Sequence, residues 1–348
     1  MHYDLIVVGA GPGGSSTAYW AGRLGLKVLL IEKHKLPRFK LCAGCLSKRV
    51  DPLLPQGWKE LVLSPISHGL LGYKGEEYAE VYSEEPVAYI VDRASFDAFL
   101  TNCAREVGVE FMGPCEFLGF EKEGGRYKVF TSRGVFFSDF LVGADGFHSK
   151  VGKALGYKKE KFFKSLEFFT EGELEDRVVI EIGVVRRGYL WVFPRGEGIS
   201  VGVASTHGED LLGILRSYSA RKGIRYAHPK GWHIPFAEKE GDFHLGKERV
   251  LLVGDAANMT DPLLGEGIYY ALWGGKLLAQ AIKEDPSNPV KLYSKLLKPI
   301  KEELLYAGKI ARLAYSFQRT AFKMGKGHAL KSFFKLLEGE KTYKSLYK

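Results

Sequence analysis

Gly9, Gly11 and Gly14 stand in the spacing G-x-G-x-x-G, with Gly13 between them, after a short apolar run and before a helical stretch. Glycines placed this way bind phosphate with the main chain alone. The first permits a tight turn, the second lets a pyrophosphate approach the backbone, and the third lets a helix pack close to a strand. The helix start then offers unpaired N–H groups and a partial positive charge. Glu32 closes the next apolar run, where a carboxylate can accept ribose hydroxyls. These residues describe a dinucleotide site without separating a flavin from a nicotinamide nucleotide.

Later motifs add to it. Gly143-Ala144-Asp145-Gly146 follows an apolar strand and is trailed by Ser149. Gly254-Asp255-Ala256-Ala257 follows another, Val250–Val253, and leads through Asp261, Pro262, Gly265, Glu266 and Gly267 to a helix near Ile268. Such glycines admit a planar ring, and a helix start beside it stabilises negative charge. Asp255 also suits the cap of the next helix. No second G-x-G-x-x-G occurs, so a separate NAD(P)H domain is not expected.

Tyr189, Trp191 and Phe193 alternate, which puts them on one face of a strand. They read as an apolar wall for a long chain or as the core face of a sheet. Cys42-x-x-Cys45 has no second close cysteine pair in Cys103 and Cys115, which argues against zinc. A disulfide or a thiol pair stays open. His228 and His233 read as core or surface histidines.

The elements that must position these residues are short buried strands at 3–8, 27–31, 140–142 and 250–253, with helices at 15–23 and 96–107. Residues 33–65 read as a long loop with short helical pieces. Strands are expected at 66–92 and 163–204, a helix near 210–220, and helices beyond 268. The fold class is α/β. A Rossmann-like nucleotide-binding domain is made of 1–65, 94–160 and 245–285, with an inserted antiparallel-sheet domain of 66–93 and 161–244. A helical basic region spans 286–348.

The chain has 348 residues and a net charge of +9. From Lys309 onward ten bases face two acids, which gives +8 and leaves +1 for the rest. A near-neutral body argues against nucleic acid as partner. Leu330, Phe333, Phe334 and Leu337 lie on one helical face with Lys331 and Lys335 off it, a pattern that suits core docking or an anionic membrane. With no apolar run of membrane-spanning length, the expected location is cytoplasmic, with a peripheral place at the inner membrane face.

The order of the three nucleotide motifs resembles the flavoprotein fold of the aromatic-ring hydroxylases. Tyr189-x-Trp191-x-Phe193-Pro194 with Gly202, and Pro37-Arg38-x-Lys40-x-Cys42-Ala43-Gly44-Cys45-Leu46-Ser47, are similar to the signature and the cysteine loop of the geranylgeranyl reductase family. Many members carry a small residue where Cys45 stands. The resemblance implies FAD, held by Gly9, Gly11, Gly13, Gly14, Glu32, Lys40, Cys42, Ala43, Arg93, Asp145, Asp255, Pro262, Gly265, Gly267 and Ile268. It implies catalytic roles for Cys45, Tyr189 and Trp191, a prenyl-chain substrate, and ferredoxin or NAD(P)H as electron donor. Saturating an isolated alkene needs a dry site and one acid. Cys42, Cys45, Tyr189 and Glu266 are candidates. An aromatic monooxygenase or halogenase, and a non-catalytic electron-transfer flavoprotein, are the other readings of the same motifs.

Overall fold

The computed structural model describes residues 1–347. The apolar run at the N-terminus forms the strand His2–Val8, which pairs in parallel with Val28–Ile31 on one side and Gly134–Gly143 on the other. Glu110–Met112 and Val250–Leu252 extend the parallel set outward. Leu5, Ile6, Val7, Leu29, Leu30 and Ile31 are fully buried. Strands covered on both faces have no polar side, so they read as continuous apolar runs. The hairpin Phe117–Glu123 and Arg126–Thr131 continues antiparallel from Gly134–Gly143. Three separated stretches of chain thus share one sheet, as the motif order requires.

The helix Pro12–Arg23 begins three residues earlier than expected. Pro12 has no N–H to lose in a first turn and a φ already suited to it. This helix packs on Arg93–Glu106 and Ile268–Glu284. The second crossing is close: a Cβ on Gly275 would come within 2.8 Å of the Gly13 carbonyl oxygen. There Ser16 Oγ donates to the Leu272 carbonyl at 2.7 Å.

The inserted sheet has seven strands. Lys230–Pro235, Phe162–Glu171, Gly198–Ser205, Gly188–Arg195 and Arg177–Ile182 run antiparallel in that order. His68–Tyr73 joins Arg177–Ile182 in parallel, and Glu77–Tyr82 closes the edge. The helix Leu211–Lys222 covers one face through Leu211, Leu215 and Tyr218. The opposite face carries Phe163, Tyr189 and Trp191 toward the nucleotide-binding loops.

The region 66–92 does not join this sheet as a whole. Ala88–Val91 pairs with Cys45–Ser47 on one side and Val62–Ile66 on the other, and the three form a small sheet of their own. The long loop therefore contains a strand. Cys45–Ser47 is too short to show a period, and Ala88–Val91 is buried on both faces and does not alternate.

The C-terminal helices are Pro289–Leu296, Lys298–Ser316, Gln318–Met324, Leu330–Glu338 and Tyr343–Tyr347. No helix among the described residues is long and apolar enough to cross a membrane.

Candidate functional site

The fingerprint turn is built by sterics. Gly9 has φ 103°, and a Cβ on Gly14 would overlap the Gly9 carbonyl oxygen. Gly11 is the cap residue of Pro12–Arg23, and no side chain caps that helix, so its first N–H groups are open to a ligand. Glu32 is fixed beside the turn by the N–H groups of Ala10 at 3.0 Å and His34 at 3.1 Å. Arg93 holds Asp97 through two bonds of 3.0 Å. Arg38 links this pair to Glu32, at 3.1 Å from Asp97 and 3.4 Å from Glu32. Arg38 was not among the expected residues, although it precedes Lys40 in the cysteine loop.

Asp145 has an internal task that its motif did not reveal. Its carboxylate accepts from Ser149 Oγ at 2.5 Å, Lys150 N at 2.6 Å and Val151 N at 3.2 Å. It therefore ties the start of the helix Lys150–Ala154, and its turn offers a cofactor shape more than a free carboxylate. Asp255 shows the reverse. It lies inside the single 3-10 turn Gly254–Ala257, which has no side-chain cap, and the next α-helix starts only at Ile268, so Asp255 caps neither. Its side chain keeps one weak partner, Thr260 Oγ1 at 3.3 Å. Lys159 braces this turn from behind, donating to the carbonyls of Asp255 at 2.6 Å and Ala256 at 2.8 Å, and to Asn258 Oδ1 at 2.6 Å. Burial lowers its pKa to about 8.

The loop from Asp261 to Gly267 is held from both ends. Asp261 accepts from Leu263 N at 2.6 Å, Leu264 N at 3.2 Å and the Tyr343 hydroxyl at 2.7 Å. Burial pushes its pKa up to about 6. Glu266 accepts from Ser47 Oγ at 2.5 Å and from Arg49, whose guanidinium also lies 3.7 Å from Glu303. Gly267 leads into Ile268–Glu284, a second helix start with no side-chain cap. The last helix of the chain thus reaches the loop that carries Pro262 and Gly265.

Cys42 and Cys45 are free thiols. Cys42 Sγ accepts from Gly44 N at 3.4 Å. Burial, with Glu266 and Cys42 nearby, pushes Cys45 up to about 12. Lys40 lies 3.8 Å from the centre of the Trp232 ring, and burial lowers it to about 8. Among the described residues no carboxylate comes within 4.0 Å of its ammonium. His233 stacks on Phe147 at 4.8 Å, in keeping with a packed histidine.

Tyr189, Trp191, Phe163 and Phe236 form one apolar cluster with Ala43, Leu263 and Leu264. The aromatic face of the inserted sheet therefore meets both the cysteine loop and the 261–267 loop. Tyr189 donates its hydroxyl to the Leu264 carbonyl. Trp191 lies flat over Gly202, where any Cβ would overlap its ring. Its indole N–H donates to Ser200 Oγ at 3.1 Å, and Ser200 donates to Glu167 at 2.6 Å. Glu167 was not foreseen, because neither it nor Ser200 belongs to a motif.

Burial raises Glu167 from 4.5 to about 7. Between these values the folded chain keeps a proton that the unfolded chain has lost. Stability therefore falls as pH rises through that window, by on the order of 3 kcal/mol at most. Urea melts at about pH 5 and about pH 8 test this. Glu167→Gln is expected to gain stability over the parent at the higher pH and to match it at the lower. An unchanged pH slope contradicts the assignment.

A groove of about 240 Å³ runs along this cluster, lined by Phe163, Phe236, Pro262, Ala311 and Tyr315 among others. Arg187 and Arg312, with Lys161, Glu160 and Glu238, supply its charged lining. A larger open cleft of about 840 Å³ lies by Lys74, Asp210 and Tyr218, on the helix-covered side of the inserted sheet and away from every motif.

The residues fit FAD. The cradle at Gly11 is open, two helix starts lack caps, and the unpartnered Lys40 ammonium awaits an acceptor. Residues 2–284 match the family described as FAD binding domain. The digeranylgeranylglycerophospholipid reductase of Methanocaldococcus jannaschii is 30% identical, over 81% of this chain and 78% of its own length. A reductase of the same name from Methanococcoides burtonii is 31% identical, over 81% and 76%. A crystal structure of a geranylgeranyl bacteriochlorophyll reductase-like protein from Thermoplasma acidophilum superposes with a TM-score of 0.79 at 25% identity, covering 98% of this chain and 92% of that one. The flavin-dependent brominase Bmp2 shares the fold, with a TM-score of 0.76 at 18% identity over 99% and 94%. The chain is an FAD-binding oxidoreductase. It belongs to the FAD binding domain family and, within it, to the geranylgeranyl reductases.

Proposed function

We propose that this enzyme saturates carbon–carbon double bonds in the prenyl chain of a lipid such as digeranylgeranylglycerophospholipid. The observation that carries the reading is the apolar face of Phe163, Tyr189 and Trp191, set against Ala43 and Leu264, with Phe163 also lining a groove. FAD, when bound, supplies the hydride.

The chain's own residues do the rest. Gly11, Glu32, Lys40 and the helix starts hold the cofactor. The aromatic face excludes water and offers π faces to the positive charge that develops when an isolated alkene is protonated. Of the four expected acids, Glu266 is engaged by Ser47 and Arg49, the Tyr189 hydroxyl by Leu264 and the Cys42 sulfur by Gly44 N–H. Cys45 holds its proton tightly. Glu167, on the same face, is the acid nearest neutrality, and it holds the proton beside Trp191. Electrons come from ferredoxin or NAD(P)H, in keeping with a single dinucleotide fingerprint. A substrate of this kind lies in a bilayer, so the enzyme works as a peripheral membrane protein.

The test is anaerobic. Prereduced holoenzyme mixed with digeranylgeranylglycerophospholipid is expected to regain oxidised-flavin absorbance without oxygen. Flavin that stays reduced until oxygen is admitted, with the lipid unchanged, would contradict the reading.

A further inference from the structure

From Leu304 to Leu337 the chain carries seven bases and no acid. The expected amphipathic stripe in this stretch is not free. Phe334 packs in a cluster with Ile66, Val81 and Ile90, and Leu330 and Leu337 lie against it. Phe333 is half-buried beside Leu336 and Tyr343.

The apolar side chains that stay in solvent are Leu313, Phe317 and Met324, which are 53%, 63% and 71% exposed. They follow one another on the outer side of Lys298–Ser316 and Gln318–Met324. The chain bends at Phe317, yet Ala321 N bonds to its carbonyl at 2.8 Å, so the stripe continues across the bend. Tyr315 and Phe322 point the other way and are buried. Exposed Arg312, Arg319 and Lys323 flank the stripe, and among the described residues none has a carboxylate within 4.0 Å. The same helical turn that exposes Leu313 also lines the groove with Ala311, Arg312 and Tyr315.

We propose that this edge docks on an anionic bilayer surface. Leu313, Phe317 and Met324 enter the headgroup layer while Arg312, Arg319 and Lys323 meet lipid phosphates. The groove lined by Ala311, Arg312 and Tyr315 then opens at the membrane surface. The inference deepens the prenyl-lipid reading and rests on it for the purpose of the groove. Charge complementarity selects the occupant. Apolar groups alone would suit any partner, whereas three exposed bases with no carboxylate within 4.0 Å suit a polyanionic surface.

Sedimentation of full-length holoenzyme with sucrose-loaded vesicles tests it. Vesicles of phosphatidylcholine with phosphatidylglycerol are expected to pull the protein down, and phosphatidylcholine alone to do so far less. Leu313→Ser/Phe317→Ser/Met324→Ser is expected to weaken anionic-vesicle binding about tenfold or more. Arg312→Ser/Arg319→Ser/Lys323→Ser is expected to weaken it about fivefold per base and to remove the preference for anionic lipid. Flavin content and melting temperature should match the parent in both. Parent protein that stays in the supernatant, or variants that bind as the parent does, overturn the proposal. So does a concentration-dependent dimer lost in the apolar variant, which would assign the edge to a second copy. Turnover of detergent-dissolved lipid separates the two readings. Turnover without sedimentation rejects docking alone, and docking without turnover rejects the reductase assignment alone.

Discussion

Gly11→Val is expected to purify as a folded protein without yellow colour. The backbone at Gly11 is extended, with φ −83° and ψ −177°, which valine adopts freely. A Cβ there meets only the Arg38 guanidinium, at 3.8 Å. The apoprotein therefore has room for the side chain. The pyrophosphate does not, because its approach to the first turn of Pro12–Arg23 needs that space. Losing about two charge-assisted N–H bonds costs about 3 kcal/mol or more, roughly a hundredfold in affinity. Titration of apoprotein with FAD measures this, and thermal melting checks that the fold survives. Gly14→Val is the contrasting variant. Its Cβ overlaps the Gly9 carbonyl without any ligand, so it should lower apoprotein stability itself. Equal FAD affinity in Gly11→Val and the parent would remove the phosphate from this turn.

Arg49→Met is expected to cause the largest loss of stability, about 3–5 kcal/mol. Arg49 is buried, bonded to Glu266 and close to Glu303, and its guanidinium lies 4.3 Å from the Tyr269 ring centre. Without it, two largely buried carboxylates face each other with no cation between them. Glu266 belongs to the loop that leads into the uncapped start of Ile268–Glu284, so flavin affinity should fall along with stability. Arg49→Met/Glu266→Gln discriminates between causes. If the cost comes from stranded charge, the double variant recovers most of it, since a buried pair is worth little against apolar or neutral replacements. Urea denaturation measures both. A single variant within about 0.5 kcal/mol of the parent contradicts the account.

The two predictions draw on features of unequal legibility in the sequence. The turn at Gly9–Gly14 could be read because its rule is local. Strand, glycines and helix lie within thirty residues, and each glycine has a steric reason. Tyr189 and Trp191 share a face because strand alternation is equally local. Arg49 and Glu266 could not be paired in advance, since they are 217 positions apart and neither repeats with a period. Asp261 and Tyr343, 82 positions apart, and Glu167 and Ser200, 33 apart, hide for the same reason. The bonds that Asp145 accepts from Ser149, Lys150 and Val151 were not legible, because a motif shows which residue is present but not how its oxygens are engaged. The tail shows another limit. Its helical period revealed that Leu330 and Phe334 share a face, but a period does not say whether that face meets protein or lipid. Only packing against Val81 and Ile90 decides for protein, which moves the exposed surface to Leu313 and Phe317.

The mass of the lipid product reports the saturation of its prenyl chains. Reduced holoenzyme is incubated without oxygen with digeranylgeranylglycerophospholipid, and the lipid is examined by mass spectrometry. The account predicts product ions heavier by two hydrogens for each double bond saturated, with reduction confined to the prenyl chains. A lipid of unchanged mass, under conditions where the flavin is shown to be bound and reduced, would contradict it.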